Sequence, residues 1–137
     1  MRFIFDRTFL QFLLLVSSGV VTSGCLFESR LASEASLISV KEIRVAERQY
    51  FEVSGQTRYG TLKELADRKL IPDKLADGED ESFLFVLTTG ENHYELTAKP
   101  VGIYAASLYV DETGVIRESE NTNTIANRSS LPIKIQE

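Results

Sequence analysis

One cysteine, one histidine and no tryptophan occur in 137 residues, and each shortage excludes something. A lone Cys25 forms no internal disulfide, so the fold carries no covalent staple. Cys25 and His93 have no second residue of either type to complete a zinc site. A basic excess is also missing, since 15 Lys and Arg face 20 Asp and Glu, a net charge of −5. Nucleic acid needs a basic face, so it is not an expected partner. The apolar run from Thr8 to Val21 contains Gln11 and thins into Ser, Gly and Thr. It falls short of the ~20 apolar residues that a spanning helix needs. No glycine-rich loop joins a strand to a helix as a phosphate cradle does. The serines and threonines fall in cap, turn and tail positions with no patterned base beside them. No catalytic, cofactor-binding or metal-binding residues and no small-molecule substrate are identified, and the chain is not expected to be an enzyme.

What is present begins at the N-terminus. Arg2 and Arg7 precede the apolar run, and small residues lead from it to Cys25, which is the pattern of a secretory signal over 1–24. Val21-Thr22-Ser23-Gly24-Cys25 resembles a bacterial lipobox, although Thr22 stands where Leu is more usual. That resemblance implies cleavage after Gly24, a diacylglycerol thioether on Cys25 (palmitate-type chains), and acylation of the new amino group. Plain cleavage with a free thiol and an uncleaved short anchor are the alternatives. Each chain contributes ~0.8 kcal/mol per buried methylene, so two or three hold a protein on a bilayer without a spanning helix. Without Arg2, Asp6 and Arg7 the acidic excess grows to −6, so acylation rather than charge would do the anchoring. The expected location is the bacterial cell envelope, with the periplasmic face of the outer membrane ahead of the inner membrane.

Residues 25–33 read as a short tether. From about Ala32 to Val53 the pattern is helical, with Ala32, Ala35, Ser39, Ile43, Ala46, Tyr50 and Val53 on one face. Val40 and Phe51 widen that stripe, and Lys41, Glu42, Arg44, Glu47 and Arg48 are expected to point mostly elsewhere. Gly55 and Gly60 punctuate a polar break. Thr61-Leu62-Lys63-Glu64 then opens a second helix with a capping box, and Pro72 stops it. Pro72 to Gly78 reads as one more turn. The acidic turn Asp77, Glu79, Asp80, Glu81 lacks the spacing of a calcium loop and reads as solvated. From Ser82 the period changes to two. Strands are expected over 82–88, 93–98, 103–110 and 115–117, close enough in sequence to make an antiparallel meander. His93 reads as an exposed strand residue. Residues 118–137 are rich in Asn, Thr and Ser and read as a mostly disordered tail, with Leu131 to Ile135 a candidate edge strand or docking segment. The fold class is therefore α+β, a long amphipathic helix and a short one packed on a three- to four-stranded sheet over 34–117.

Several phrases on that framework fall in a familiar order. They run from Ala46-Glu47-Arg48-Gln49-Tyr50 through Tyr59-Gly60-Thr61-Leu62-Lys63-Glu64-Leu65, Leu70-Ile71-Pro72 and Leu75-Ala76-Asp77-Gly78. Phe83-Leu84-Phe85 and Leu96-Thr97-Ala98-Lys99-Pro100 follow, and the set closes on Ser107 to Arg117. Together they resemble the head domains of bacterial type IV pilin-like and pseudopilin-like proteins. Those proteins are cleaved ahead of a Phe-rich assembly helix with a glutamate at the fifth mature position. Here the apolar run precedes the cleavage site, and Glu28 is the fourth residue after Gly24. The resemblance thus implies a pilin-like head on a lipid anchor, without the assembly helix. The expected function is a non-catalytic envelope protein working by protein contact, with pilus or secretion machinery among its candidate partners. A small periplasmic ligand-binding or accessory enzyme module is the alternative.

The lipobox makes a direct prediction. Intact mass spectrometry of the membrane-extracted protein should show a chain starting at a diacylglycerol-modified Cys25, and Cys25→Ser should either release the domain or leave it as uncleaved precursor. A retained Met1 or an unmodified thiol in the wild type would rule the lipoprotein reading out.

Overall fold

The structure, a computed structural model, describes residues 24–80, 82–103 and 105–133, with side chains from Glu34 onward. The expected signal segment lies outside these residues but for Gly24, and Glu81 lies outside them too. Helix α1 runs Gly24–Val53 and α2 runs Leu62–Asp67. A 3₁₀ turn at Asp73–Leu75 leads into six strands: β1 Glu79–Asp80, β2 Phe83–Thr89, β3 Tyr94–Pro100, β4 Leu108–Asp111, β5 Arg117–Glu118 and β6 Leu131–Pro132. They form one sheet in chain order, antiparallel throughout. The class is α+β as expected, but the sheet has six strands rather than three or four. Segment 25–33, read as a tether, is helical and continuous with α1.

Both helices end in the same way, for reasons visible in the chain. After α1, Gly55 N donates to Glu52 O and Gln56 N to Phe51 O; after α2, Lys69 N donates to Ala66 O and Leu70 N to Leu65 O. These are Schellman closures, which need a left-handed residue just past the cap. Gly55 supplies it at φ +75°, whereas Lys69 takes φ +59° with a side chain attached. The start of α2 is the expected capping box, the Thr61 side chain accepting from Glu64 N while the Glu64 carboxylate accepts from Thr61 N at 2.9 Å. Arg58 grips the same carboxylate at 2.6 Å. Its hydrogen bond, with that of the Thr61 amide, holds the Glu64 carboxyl down at about 2.

The core lies between α1 and the inner face of the sheet. Register places Phe85 beside Ala98 and Ala98 beside Leu108, with Leu87, Leu96 and Val110 one step along. Ile43, Leu65, Leu75 and Leu96 are completely buried, each worth ~1.5–3 kcal/mol of transfer free energy. The helix meets this face through Ser36, Ser39, Val40, Ile43, Ala46, Glu47 and Tyr50. That arc is rotated from the expected one: Val53 and Ala35 are exposed, and Glu47 is buried. A local apolar pattern does not reveal where the returning chain presses on the helix, and here it presses on the Glu47 side.

Residues 118–133 correct the expectation of a disordered tail. Buried Ser107 holds the segment by two bonds, its hydroxyl donating to Thr124 O at 3.1 Å and accepting from Ala126 N at 2.6 Å. Ser119 answers from the other side: its amide donates to Ser107 O at 3.0 Å and its hydroxyl accepts from Ser107 N at 3.1 Å. Farther on, Arg128 Nε lies 2.9 Å from Asp111 Oδ2, and its Nη2 lies 2.9 Å from Glu112. Asp111 is only 1% exposed, and burial by itself would raise its pKa. The Thr113 hydroxyl and amide, with Arg128 and Tyr109, outweigh burial and lower it. Ile133 N then donates to Ile116 O as β6 closes on β5. Few apolar residues are buried here, so the signal for order was polar and long-range.

Ser107→Ala should strand the Ala126 amide and the Thr124 carbonyl and cost about 1–3 kcal/mol. Ser129→Ala, on the exposed surface, should change stability by less than about 0.5 kcal/mol. Urea denaturation of both variants checks the contrast, and equal midpoints would mean that the tail is not held through Ser107.

Candidate functional site

Three places stood out in the sequence: Cys25, His93 and the acidic turn at 77–81. Cys25, the expected lipidation site, lies on the backbone of the first turn of α1, and its side chain lies outside the described residues. His93 is exposed in the turn before β3, with its ring lying over Gly90. Asp77 and Glu79 are exposed and Asp80 pairs with Lys74 at 3.9 Å. Among the described residues no group of three or more His, Cys, Asp or Glu is placed to hold a metal ion. The residues singled out from sequence are therefore not brought together.

The site that sequence reasoning missed is centred on Glu47, which has no solvent exposure. Its Oε2 accepts from Gly60 N at 2.9 Å, while Oε1 has no hydrogen-bond partner among the described residues. Gly60 reaches this position because it has no side chain. A Cβ there would sit 2.9 Å from the Tyr50 ring, which already has Arg68 stacked at 4.6 Å and Arg58 at 5.3 Å. Burial pushes Glu47 from 4.5 up to about 7; the Gly60 amide pulls it down and Glu64 pushes it further up. The carboxyl also acts on its neighbours. Tyr94, first through burial and then through Glu47, has its hydroxyl pKa raised, and Tyr59 is raised in the same sense, by burial, Glu112 and Glu47.

Two concavities flank α1. An open groove of about 650 Å³ lies between Lys41, Glu42, Val45 and Gln49 of the helix and the connection Lys69–Asp73. Beside it, Ile38 is 58% exposed, Val45 49% and Val53 66%. On the other flank a cleft of about 360 Å³ is walled by Phe51, Tyr59 and Tyr94 and edged by Arg44 and Arg48.

The buried carboxyl sets a pH dependence of stability. The folded protein keeps the Glu47 proton up to about pH 7 whereas the unfolded chain releases it near 4.5, so the fold binds more protons in that interval. Stability is thus full below the lower value and is lost as pH rises through the upper one, by about 3 kcal/mol in all. Glu64 and Asp111, both held low, act only in more acid solution. Urea midpoints should fall between about pH 5 and pH 8 in the wild type and stay nearly level in Glu47→Gln; parallel curves would mean that Glu47 is not the group responsible. Comparison of the chain with protein-family models, with curated proteins and with solved structures finds no match.

Proposed function

We propose that this chain is a lipid-anchored envelope protein whose pilin-like head works by protein contact rather than by catalysis. The observation that carries the reading is the outward side of α1. Ile38 and Val45 are seven residues apart, two helical turns, so they share one face, and both are exposed although the core lies on the other side. Val53 extends the stripe and the groove lined by Val45, Leu70 and Ile71 runs beside it. Large apolar side chains grouped along one helix, rimmed by Lys41, Glu42, Lys69 and Asp73, are the composition of a recognition surface. The α+β order of long helix, capped short helix and antiparallel meander agrees with a pilin-like head. An anchor at Cys25 would hold this surface close to partners in the same membrane and raise their effective concentration.

Complementation of a deletion strain tests the reading, with folding checked by circular dichroism. Val45→Glu and Ile38→Glu leave the core untouched and should abolish rescue, as should a folded, soluble Cys25→Ser protein. His93→Ala should rescue fully. Rescue by Val45→Glu would reject the contact surface, and loss of rescue by folded His93→Ala would favour a ligand-binding or accessory enzyme module.

A further inference from the structure

The cleft on the other flank of α1 has a composition that the contact reading does not use. Its wall is a run of three rings, Phe51 stacked on Tyr59 at 4.6 Å between centroids and Tyr59 tilted against Tyr94 at 4.9 Å. Tyr94 is buried and packs in the core, so the wall is fixed from behind. Arg44 and Arg48, one helical turn apart, edge the same space together with Glu52 and Glu112.

The charges there are unequally satisfied. Glu112 is already engaged by Arg128 at 2.9 Å. Elsewhere Arg58, Lys63 and Lys69 each have a carboxylate within 3.4 Å. Neither Arg44 nor Arg48 has one among the described residues; Arg44 donates instead to the Gly114 carbonyl at 2.9 Å, which fixes its guanidinium beside the β4–β5 turn. At the Tyr59 hydroxyl, burial and then Glu112 and Glu47 raise the pKa, and Arg48 opposes them with a smaller effect. Arg44 and Arg48 balance Glu52 and Glu112 in number, since Arg128 is shared between Glu112 and Asp111, so what the cleft offers an anion is not excess charge but two guanidiniums that no carboxylate among the described residues engages.

Guanidinium forks match carboxylate geometry, and aromatic faces take flat apolar groups at ring-stacking distance. The volume, about 360 Å³, lies at the small end of ligand pockets. We propose that this cleft binds an aromatic carboxylate, either free or as the C-terminal residue of a peptide. The carboxylate meets Arg48 and the outward side of Arg44, and the ring packs along the wall that Phe51 and Tyr59 form. The proposal is independent of the contact surface: at 3.6 residues per turn, Arg44, Arg48 and Phe51 lie on a different side of α1 from Ile38 and Val45.

Titration of the full-length protein in detergent, followed by the ring-proton signals of Tyr59 and Tyr94, tests it with three probes. N-acetylphenylalanine should give saturable shifts with a Kd on the order of 1 mM, as ligand-efficiency limits allow for so small a molecule. N-acetylphenylalaninamide, which lacks the charge, should bind at least about tenfold more weakly. A peptide ending in a free phenylalanine separates the sources: tighter binding than the capped amino acid identifies a peptide terminus, and weaker binding a small molecule. Exposed Arg48→Gln should weaken N-acetylphenylalanine about tenfold with the melting temperature unchanged, and Glu52→Gln should tighten it. Absence of saturation, equal binding of acid and amide, or an Arg48→Gln protein that binds as the wild type does would each overturn the proposal.

Discussion

The contact on which the rest of the structure depends is the backbone of Gly60 lying on the Tyr50 ring with its amide directed at Glu47. It joins α1 to the residue just before the Thr61 cap of α2, and so fixes where the chain returns after its first helix. From there the Thr61 cap sets the direction of α2, and the Schellman closure at Lys69 turns the chain toward the sheet. An unpaired buried carboxylate would make this joint costly. Its raised pKa means that the group is largely neutral below about pH 7, which limits the cost.

The far end of the sheet is organised differently. Apolar burial does little to draw residues 118–133 onto the domain, since Ile125 and Leu131 are exposed, Ala126 is small, and Ile133 packs against the core only half-buried. The work is done by two serines whose hydroxyls each donate and accept once, and by Arg128 reaching a carboxylate that is otherwise sealed. Satisfied buried hydroxyls contribute modestly, but leaving one unmade is expensive, so such a network favours one arrangement of the segment strongly over others.

Helix α1 therefore has three sides with three tasks. One side meets the sheet, a second carries Ile38 and Val45 beside the groove, and a third lines the aromatic cleft with Arg44 and Arg48. A single helix can do this because only about a third of its circumference is needed for the core. The surfaces on either side stay available for recognition while the helix itself is held rigidly. Its N-terminal turns, from Gly24, extend the same element back toward the proposed point of attachment.

Much of the local structure was legible in the chain itself. The capping box at Thr61 and Glu64, the turn glycines at positions 55 and 78, and the change to a period of two after Ser82 all act over a few residues and are found, whereas α2 ends at Asp67, through the closure at Lys69, ahead of the expected stop at Pro72. The α+β class follows from them. The start of α1 was not legible, because the apolar stripe that marks a buried helix begins only where the sheet does. Strand β6 falls on the candidate edge strand at Leu131 to Ile135, and β1 is a two-residue pairing beside β2; the inward turn of Glu47 and the ordering of the rest of the tail were not legible. Each depends on a partner far along the chain, Gly60 for Glu47, Ser107 for Ala126 and Asp111 for Arg128, and a polar residue gives no periodic sign of whether such a partner will arrive. The sequence by itself determined the elements and their order, because caps, turns and hydrophobic period are short-range. Only the tertiary structure decided which polar groups are buried and what charge they carry, because desolvation depends on everything packed around them.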